Sequence, residues 1–155
     1  MDNAQARILY AEDETSLAKE TIERLERESY AVTHVTNGLE ALLEIRDNHE
    51  SDELKYDVLL SDNDMPSEMS GSDVILLLAK PGGPSPNLIK ILYTMNPTDG
   101  LRRIMRKVGV TVLCKANDGI GDVILKIGEL LKARANASAQ PALLRTGSAG
   151  TVPAP

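Results

Sequence analysis

The chain has 155 residues, 42 % hydrophobic and 26 % charged, with a net charge of −6 and a mean hydropathy of −0.19. That is enough for one domain with its own core, and no apolar run approaches the ~18 residues of a membrane span. One cysteine and two histidines exclude an internal disulfide and a Cys/His zinc site, which fits a reducing cytosol.

The N-terminal MDNAQARILYAEDE has no basic start followed by a long apolar stretch, so it does not read as a secretory signal. Phe and Trp are absent and Tyr occurs four times, so the core must be aliphatic and base-stacking platforms are not expected. The acidic balance points away from a nucleic-acid partner. Charge is also split along the chain. Residues 1–65 carry 17 acids against 6 bases, a net of −11, and residues 66–155 carry 6 acids against 11 bases, a net of +5. The first half suits a hard cation and the second an acidic partner.

The apolar run Arg7–Ala11 predicts a strand and is followed by Glu12, Asp13 and Glu14. Thr15 is then expected to cap a helix whose apolar positions Leu17, Ile22 and Leu25 recur at helical spacing. Ala31–Thr36 alternates and is β-branched, hence a second strand. Asn37–Gly38 breaks it, and Leu39, Leu42, Leu43 and Arg46 carry a second helix. Tyr56–Ser61 is almost continuously apolar, as in a strand buried on both faces of a parallel sheet. Asp73–Lys80 is a short helix stopped by the loop Pro81–Gly82–Gly83–Pro84. A strand at Leu88–Tyr93, a helix at Asp99–Val108, a strand at Val110–Cys114 and an amphipathic helix at Asp118–Arg134 complete the series. Five strands alternating with five helices predict an α/β fold with a doubly wound parallel sheet. Residues 1–134 form this domain, and 135–155, rich in Ala, Ser, Gly and Pro, read as a disordered tail.

In such a sheet the site lies beyond the carboxyl ends of the strands. There the sequence places Glu12–Asp13, Asp62, Thr94 and Lys115. Clustered carboxylates suit Mg²⁺, and the Thr94 hydroxyl and Lys115 ammonium suit phosphoryl oxygens. A carboxylate in that setting can act as a nucleophile. His34, in a strand, and His49, after a helix, show no pattern of a relay or a metal site, and Cys114 reads as a buried strand residue.

Through ILYAEDE (8–14), DVLLSDNDMP (57–66), IKILYT (89–94) and VTVLCK (110–115), the chain resembles the receiver domain of two-component response regulators, over residues 6–132. The resemblance implies the flavodoxin-like fold and a chemotaxis-regulator-like, single-domain regulator in the cytoplasm. It implies Asp62 as phosphoacceptor and Mg²⁺ held by Asp13, Asp62, Glu12 through water and the backbone carbonyl of Asp64. Thr94 would be the switch hydroxyl and Lys115 the phosphoryl-contacting ammonium. The phosphoryl donor would be a sensor histidine kinase or a phosphotransfer protein. Output would be contact with a downstream protein, with Arg102, Arg103, Arg106 and Lys107 as a docking face. Nothing after residue 134 reads as an output domain, and no enzymatic activity is implied beyond the protein's own phosphorylation and dephosphorylation. The sequence departs from the family pattern at Val112, where an aromatic is usual, at Met95, where a small residue is usual, at Ala116, where Pro is usual, and at the added carboxylate of Asp64. Two rival readings of the same residues are a phosphorylation-independent binding module, which Val112 and Met95 suit, and a haloacid-dehalogenase-like phosphatase. The second rests on the order Asp62-Asn63-Asp64 and leaves the Glu12–Asp13 pair unexplained.

Overall fold

The computed structural model describes residues 4–47, 56–83 and 85–139. The elements follow in the order β1 (Ala6–Ala11), α1 (Thr15–Arg27), β2 (Tyr30–Val35), α2 (Gly38–Asp47), β3 (Val58–Ser61), α3 (Gly71–Leu78), β4 (Ile89–Thr94), α4 (Asp99–Lys107), β5 (Thr111–Cys114) and α5 (Ile120–Ala139). The strands form one parallel sheet in the order β2-β1-β3-β4-β5. This is the expected doubly wound α/β architecture. Chain direction across the sheet reverses between β1 and β3, so the crevice opens at their carboxyl ends.

The two faces of the sheet bury separate aliphatic layers. Leu9, Leu59 and Leu92 pack with Ala41 and Ile45 of α2, Val74, Ile75 and Leu78 of α3, and Met105 of α4. Ile8, Tyr10, Val58, Leu60, Ile91 and Tyr93 pack with Ala18 and Leu25 of α1 and Val123 and Ile127 of α5. β3 is buried along its whole length, as its unbroken apolar run predicts.

Several boundaries differ from the sequence-based expectation. Thr15 is the first helical residue of α1 and not its cap; Glu14 occupies the capping position and makes no side-chain cap bond. On α2, Leu39 and Leu43 are 50 % and 45 % exposed, and Gly38, Ala41 and Ile45 face the core instead. Gly38 lets the start of this helix pack against the chain before α3, where a Cβ would stand 2.5 Å from the Met69 carbonyl oxygen, and the larger Leu39 and Leu43 lie on the outer side. α3 starts at Gly71, two residues before Asp73, because Ser70 and Asp73 form a reciprocal capping box. α5 continues past Arg134 to Ala139, so the expected domain boundary falls inside a helix. Arg134 anchors that helix to the amino end of β3: its Nη2 donates to Asp57 Oδ1 at 2.7 Å, and its Nη1 reaches the Asn87 carbonyl at 3.2 Å. The rest of the expected tail, 140–155, and His49 lie outside the described residues.

Gly71 sets the approach of α3 to the sheet. A Cβ there would stand 1.9 Å from the Asp62 carbonyl oxygen and 2.7 Å from Ser61 Oγ, both in the wall of the crevice. The Ser61 hydroxyl can rotate away, but the Asp62 carbonyl is backbone and cannot yield without moving the chain at the end of β3. Gly71→Ala is therefore expected to cost about 3 kcal/mol, at the upper end of overpacking costs, read as a lower urea midpoint at unchanged m-value. An unchanged midpoint contradicts this packing.

Candidate functional site

β1 and β3 lie side by side with Ala11 opposite Ser61, so the residues that follow them, Glu12 and Asp62, leave the sheet together. The Glu12 N–H donates to the Val35 carbonyl at 3.0 Å, and the Asp62 N–H to the Ala11 carbonyl at 2.9 Å. Both residues are thus held in the ladder's last rung. Glu12 is 1 % exposed. A carboxylate this deep costs several kcal/mol in desolvation unless it is paired. Three donors meet it: the Glu14 N–H on Oε1 at 3.2 Å, and the Tyr10 hydroxyl and Lys115 ammonium on Oε2 at 3.4 and 2.5 Å.

Lys115 reaches the crevice from the end of β5, where its N–H donates to the Thr94 carbonyl at 2.9 Å. Its side chain is 8 % exposed, and its Nζ also lies 3.3 Å from Asp62 Oδ2. The ammonium therefore bridges two carboxylates from two strands. Asp62 Oδ1 accepts the Asn63 N–H at 2.7 Å. Asn63 in turn accepts from α3, through its carbonyl from the Gly71 N–H at 3.1 Å and through Oδ1 from the Ser72 N–H at 3.0 Å. The loop behind Asp62 is pinned at both ends.

Asp13 is the most open carboxylate of the group. Ligand oxygens of Glu12, Asp13 and Asp62 all lie within 4.8 Å of one another. Three carboxylates against one ammonium leave a net negative site of hard oxygen donors, and this donor set fits Mg²⁺. Thr94 is buried at the end of β4, and its hydroxyl donates to Asp64 Oδ2 at 3.4 Å, which draws that exposed side chain over the crevice.

Electrostatics follow from these contacts. Burial lowers the pKa of Lys115, but the hydrogen bond to Glu12 and the charges of Asp62 and Glu12 outweigh it, so the ammonium titrates above its ordinary range. Burial pushes the Tyr10 phenol up; a hydrogen bond with Thr21 opposes this, and the charges of Glu12 and Asp62 add to it.

The structure brings together Glu12, Asp13, Asp62, Asp64, Thr94 and Lys115. It keeps the α4 cations apart: Arg103, Arg106 and Lys107 are exposed and Arg102 half-buried, beside exposed Ile104 and Val108. Cys114 is buried, as expected, and its thiol donates to the Met95 carbonyl at 3.1 Å. Three neighbours of the site escaped sequence reasoning. His34 Nε2 donates to the Glu12 carbonyl at 2.7 Å, Tyr10 bonds Glu12, and the Tyr93 ring lies 5.7 Å from Lys115 Nζ. His34 and Tyr10 are register partners. Pairing β1 with β2 would have found His34, whereas nothing local marks Tyr93.

No family model and no curated protein matches the sequence. Solved structures do match the fold. A signal receiver domain from Vibrio parahaemolyticus superposes with a TM-score of 0.73 at 23 % identity, covering 88 % of this chain and 97 % of that one. A response regulator receiver domain protein (CheY-like) from Methanospirillum hungatei gives 0.69 at 24 % identity, covering 85 % and 98 %. The chemotaxis response regulator CheY4 of Vibrio cholerae gives 0.66 at 19 % identity, covering 81 % and 98 %. The chain thus has the flavodoxin-like fold of response regulator receiver domains.

Two predictions follow from the charges. Asp13→Asn should abolish most Mg²⁺ binding in a titration, because a charged ligand is lost, whereas Lys115→Ala should bind Mg²⁺ at least as tightly as wild type. The reverse order contradicts the site. Lys115→Met leaves Glu12 and Asp62 buried without their cation and should cost about 3 kcal/mol at neutral pH without divalent cation. Because the folded-state pKa of Lys115 is raised, its contribution is complete at neutral pH and is lost only as pH rises through that value. Wild type and Lys115→Met should therefore converge in stability at high pH. A constant gap between them contradicts the pairing.

Proposed function

We propose that the chain is a phosphoryl-accepting receiver. Asp62 takes the group, with Mg²⁺, from a histidine kinase or a phosphotransfer protein. The observation that carries this is the buried Lys115 ammonium between Glu12 and Asp62, which with Asp13 form a trio of carboxylates whose oxygens lie within 4.8 Å of one another, at the switch point of the sheet. An ion pair serving the fold alone needs one partner. This site gathers three negative groups and adds a single positive one.

In the proposed reaction an Asp62 carboxylate oxygen attacks the phosphorus of the donor's phosphohistidine. The new O–P bond forms as the P–N bond breaks, and the leaving imidazole nitrogen takes a proton from solvent. Asp13 and Asp62 would hold the cation directly, Glu12 through water, and Asp64 by its backbone carbonyl. Bound Mg²⁺ supplies the positive charge against which carboxylate and phosphoryl oxygens can gather. The Asn63 N–H orients Asp62 through Oδ1. Lys115 turns its ammonium from Glu12 to the new phosphoryl oxygens, a charge-assisted contact. The Thr94 hydroxyl exchanges Asp64 for the same group.

The protein turns over no external substrate on this reading, and hydrolysis of the acyl phosphate resets it. Output is contact with a downstream protein, for which the exposed cations and apolar side chains of α4 offer a face. On this reading the exchange takes place in the cytoplasm, with the phosphoryl donor. The test is intact-mass measurement after incubation with acetyl phosphate and Mg²⁺. Wild type should gain one phosphoryl group and Asp62→Asn none. An equal gain in the variant contradicts the assignment.

A further inference from the structure

Tyr93 is a buried, chemically capable side chain that the proposed reaction does not use. It precedes Thr94 on β4 and points to the opposite face of the sheet, into the layer under α1 and α5. Its ring lies 5.7 Å from Lys115 Nζ, within the range of a cation–π contact. Its hydroxyl donates to the backbone carbonyl of Asp118 at 2.9 Å. Asp118 belongs to the short loop between β5 and α5, and that loop is closed on the end of β5. The Cys114 N–H donates to Asp118 Oδ2 at 2.8 Å, and the Asp118 N–H returns to the Cys114 carbonyl at 2.7 Å. One rigid ring thus touches the ammonium at one point and the loop before α5 at another.

We propose that Tyr93 is a positioning residue that couples Lys115 to the β5–α5 loop, so that phosphorylation of Asp62 is read out at residues 116–119. The proposal rests on the receiver reading and adds to it the path by which the site's charge state leaves the crevice. A phosphoryl group on Asp62 brings new anionic oxygens, and Lys115 moves toward them and away from Glu12. The ring then loses or changes its contact with the cation. The ring is enclosed, and its hydroxyl is tied to the loop backbone, so its adjustment is passed to Asp118. Val112, half-buried on β5, has no polar atom with which to do this. In the loop Ala116, Asn117 and Gly119 are exposed, so a change there alters the surface a partner meets.

The test uses Tyr93→Phe, which keeps the ring against Lys115 and removes only the hydroxyl. It also introduces the chain's single Phe, whose ring signals are then unambiguous. Wild type and variant are treated with acetyl phosphate and Mg²⁺, and intact mass and amide spectra are recorded together. Both should gain one phosphoryl group. Wild type should show large shifts at the Asn117, Asp118 and Gly119 amides, and the variant should lose most of them. Equal loop shifts in the two proteins at equal phosphorylation overturn the coupling and leave the receiver reading intact. A wild type that gains no mass overturns the receiver reading and the coupling with it. The ring resonances of Tyr93 in unmodified sequence give a check that needs no variant: they should move on phosphorylation, and their constancy also overturns the proposal.

Discussion

Glu12 and Asp62 leave adjacent central strands at the same level, because the register pairs Ala11 with Ser61. The closeness of their backbones is a property of the sheet. Two carboxylates so placed, one of them fully buried, need positive charge nearby. Lys115 supplies it from the end of β5, where a backbone bond to Thr94 fixes the base of its side chain. Much of the remaining architecture serves this triangle. Tyr10 and the Glu14 N–H share the load on Glu12, and Asn63 ties the Asp62 loop to the first turn of α3.

The same triangle is incomplete as electrostatics. One ammonium cannot balance Glu12, Asp62 and the more open Asp13, and the excess negative charge lies on the side that solvent reaches. A site in this condition favours a hard cation, and with that cation it favours an anionic group. Stability and function therefore depend on one residue in opposite ways. Lys115 stabilises the resting protein by pairing with Glu12, and the proposed chemistry requires it to leave that partner. Gly71 shows a similar dependence at the backbone, since the close approach of α3 that fixes the loop after Asp62 leaves no room for a Cβ.

The strands and the rim of the crevice were legible in the sequence because they rest on local signals. The apolar run of β3 announces burial on both faces, and acids, Thr and Lys directly after strands point to the carboxyl edge. The register that sets Glu12 beside Asp62 is a long-range property, so the bridging role of Lys115 between them could not be read from spacing. Helix ends were less legible. The Ser70–Asp73 capping box moved the start of α3, and the apolar spacing of Leu39, Leu42 and Leu43 marked the helix α2 without fixing its inner face, to which Leu42 belongs while Leu39 and Leu43 are exposed. His34 and Tyr93 acquire their meaning only through neighbours on other strands. That is why a pattern along the chain passed over both.

The Lys115 ammonium is shared by Glu12 and Asp62 at rest, and in the proposed reaction it transfers to a phosphoryl group on Asp62. A crystal structure of the protein with Mg²⁺ and beryllofluoride, which stands in for that group, tests it most directly. Beryllofluoride should sit on an Asp62 oxygen with Mg²⁺ beside Asp13, and Lys115 Nζ should contact fluoride after leaving Glu12 Oε2. A structure in which Lys115 still bridges the two carboxylates, with beryllofluoride absent from Asp62 under saturating conditions, would contradict it.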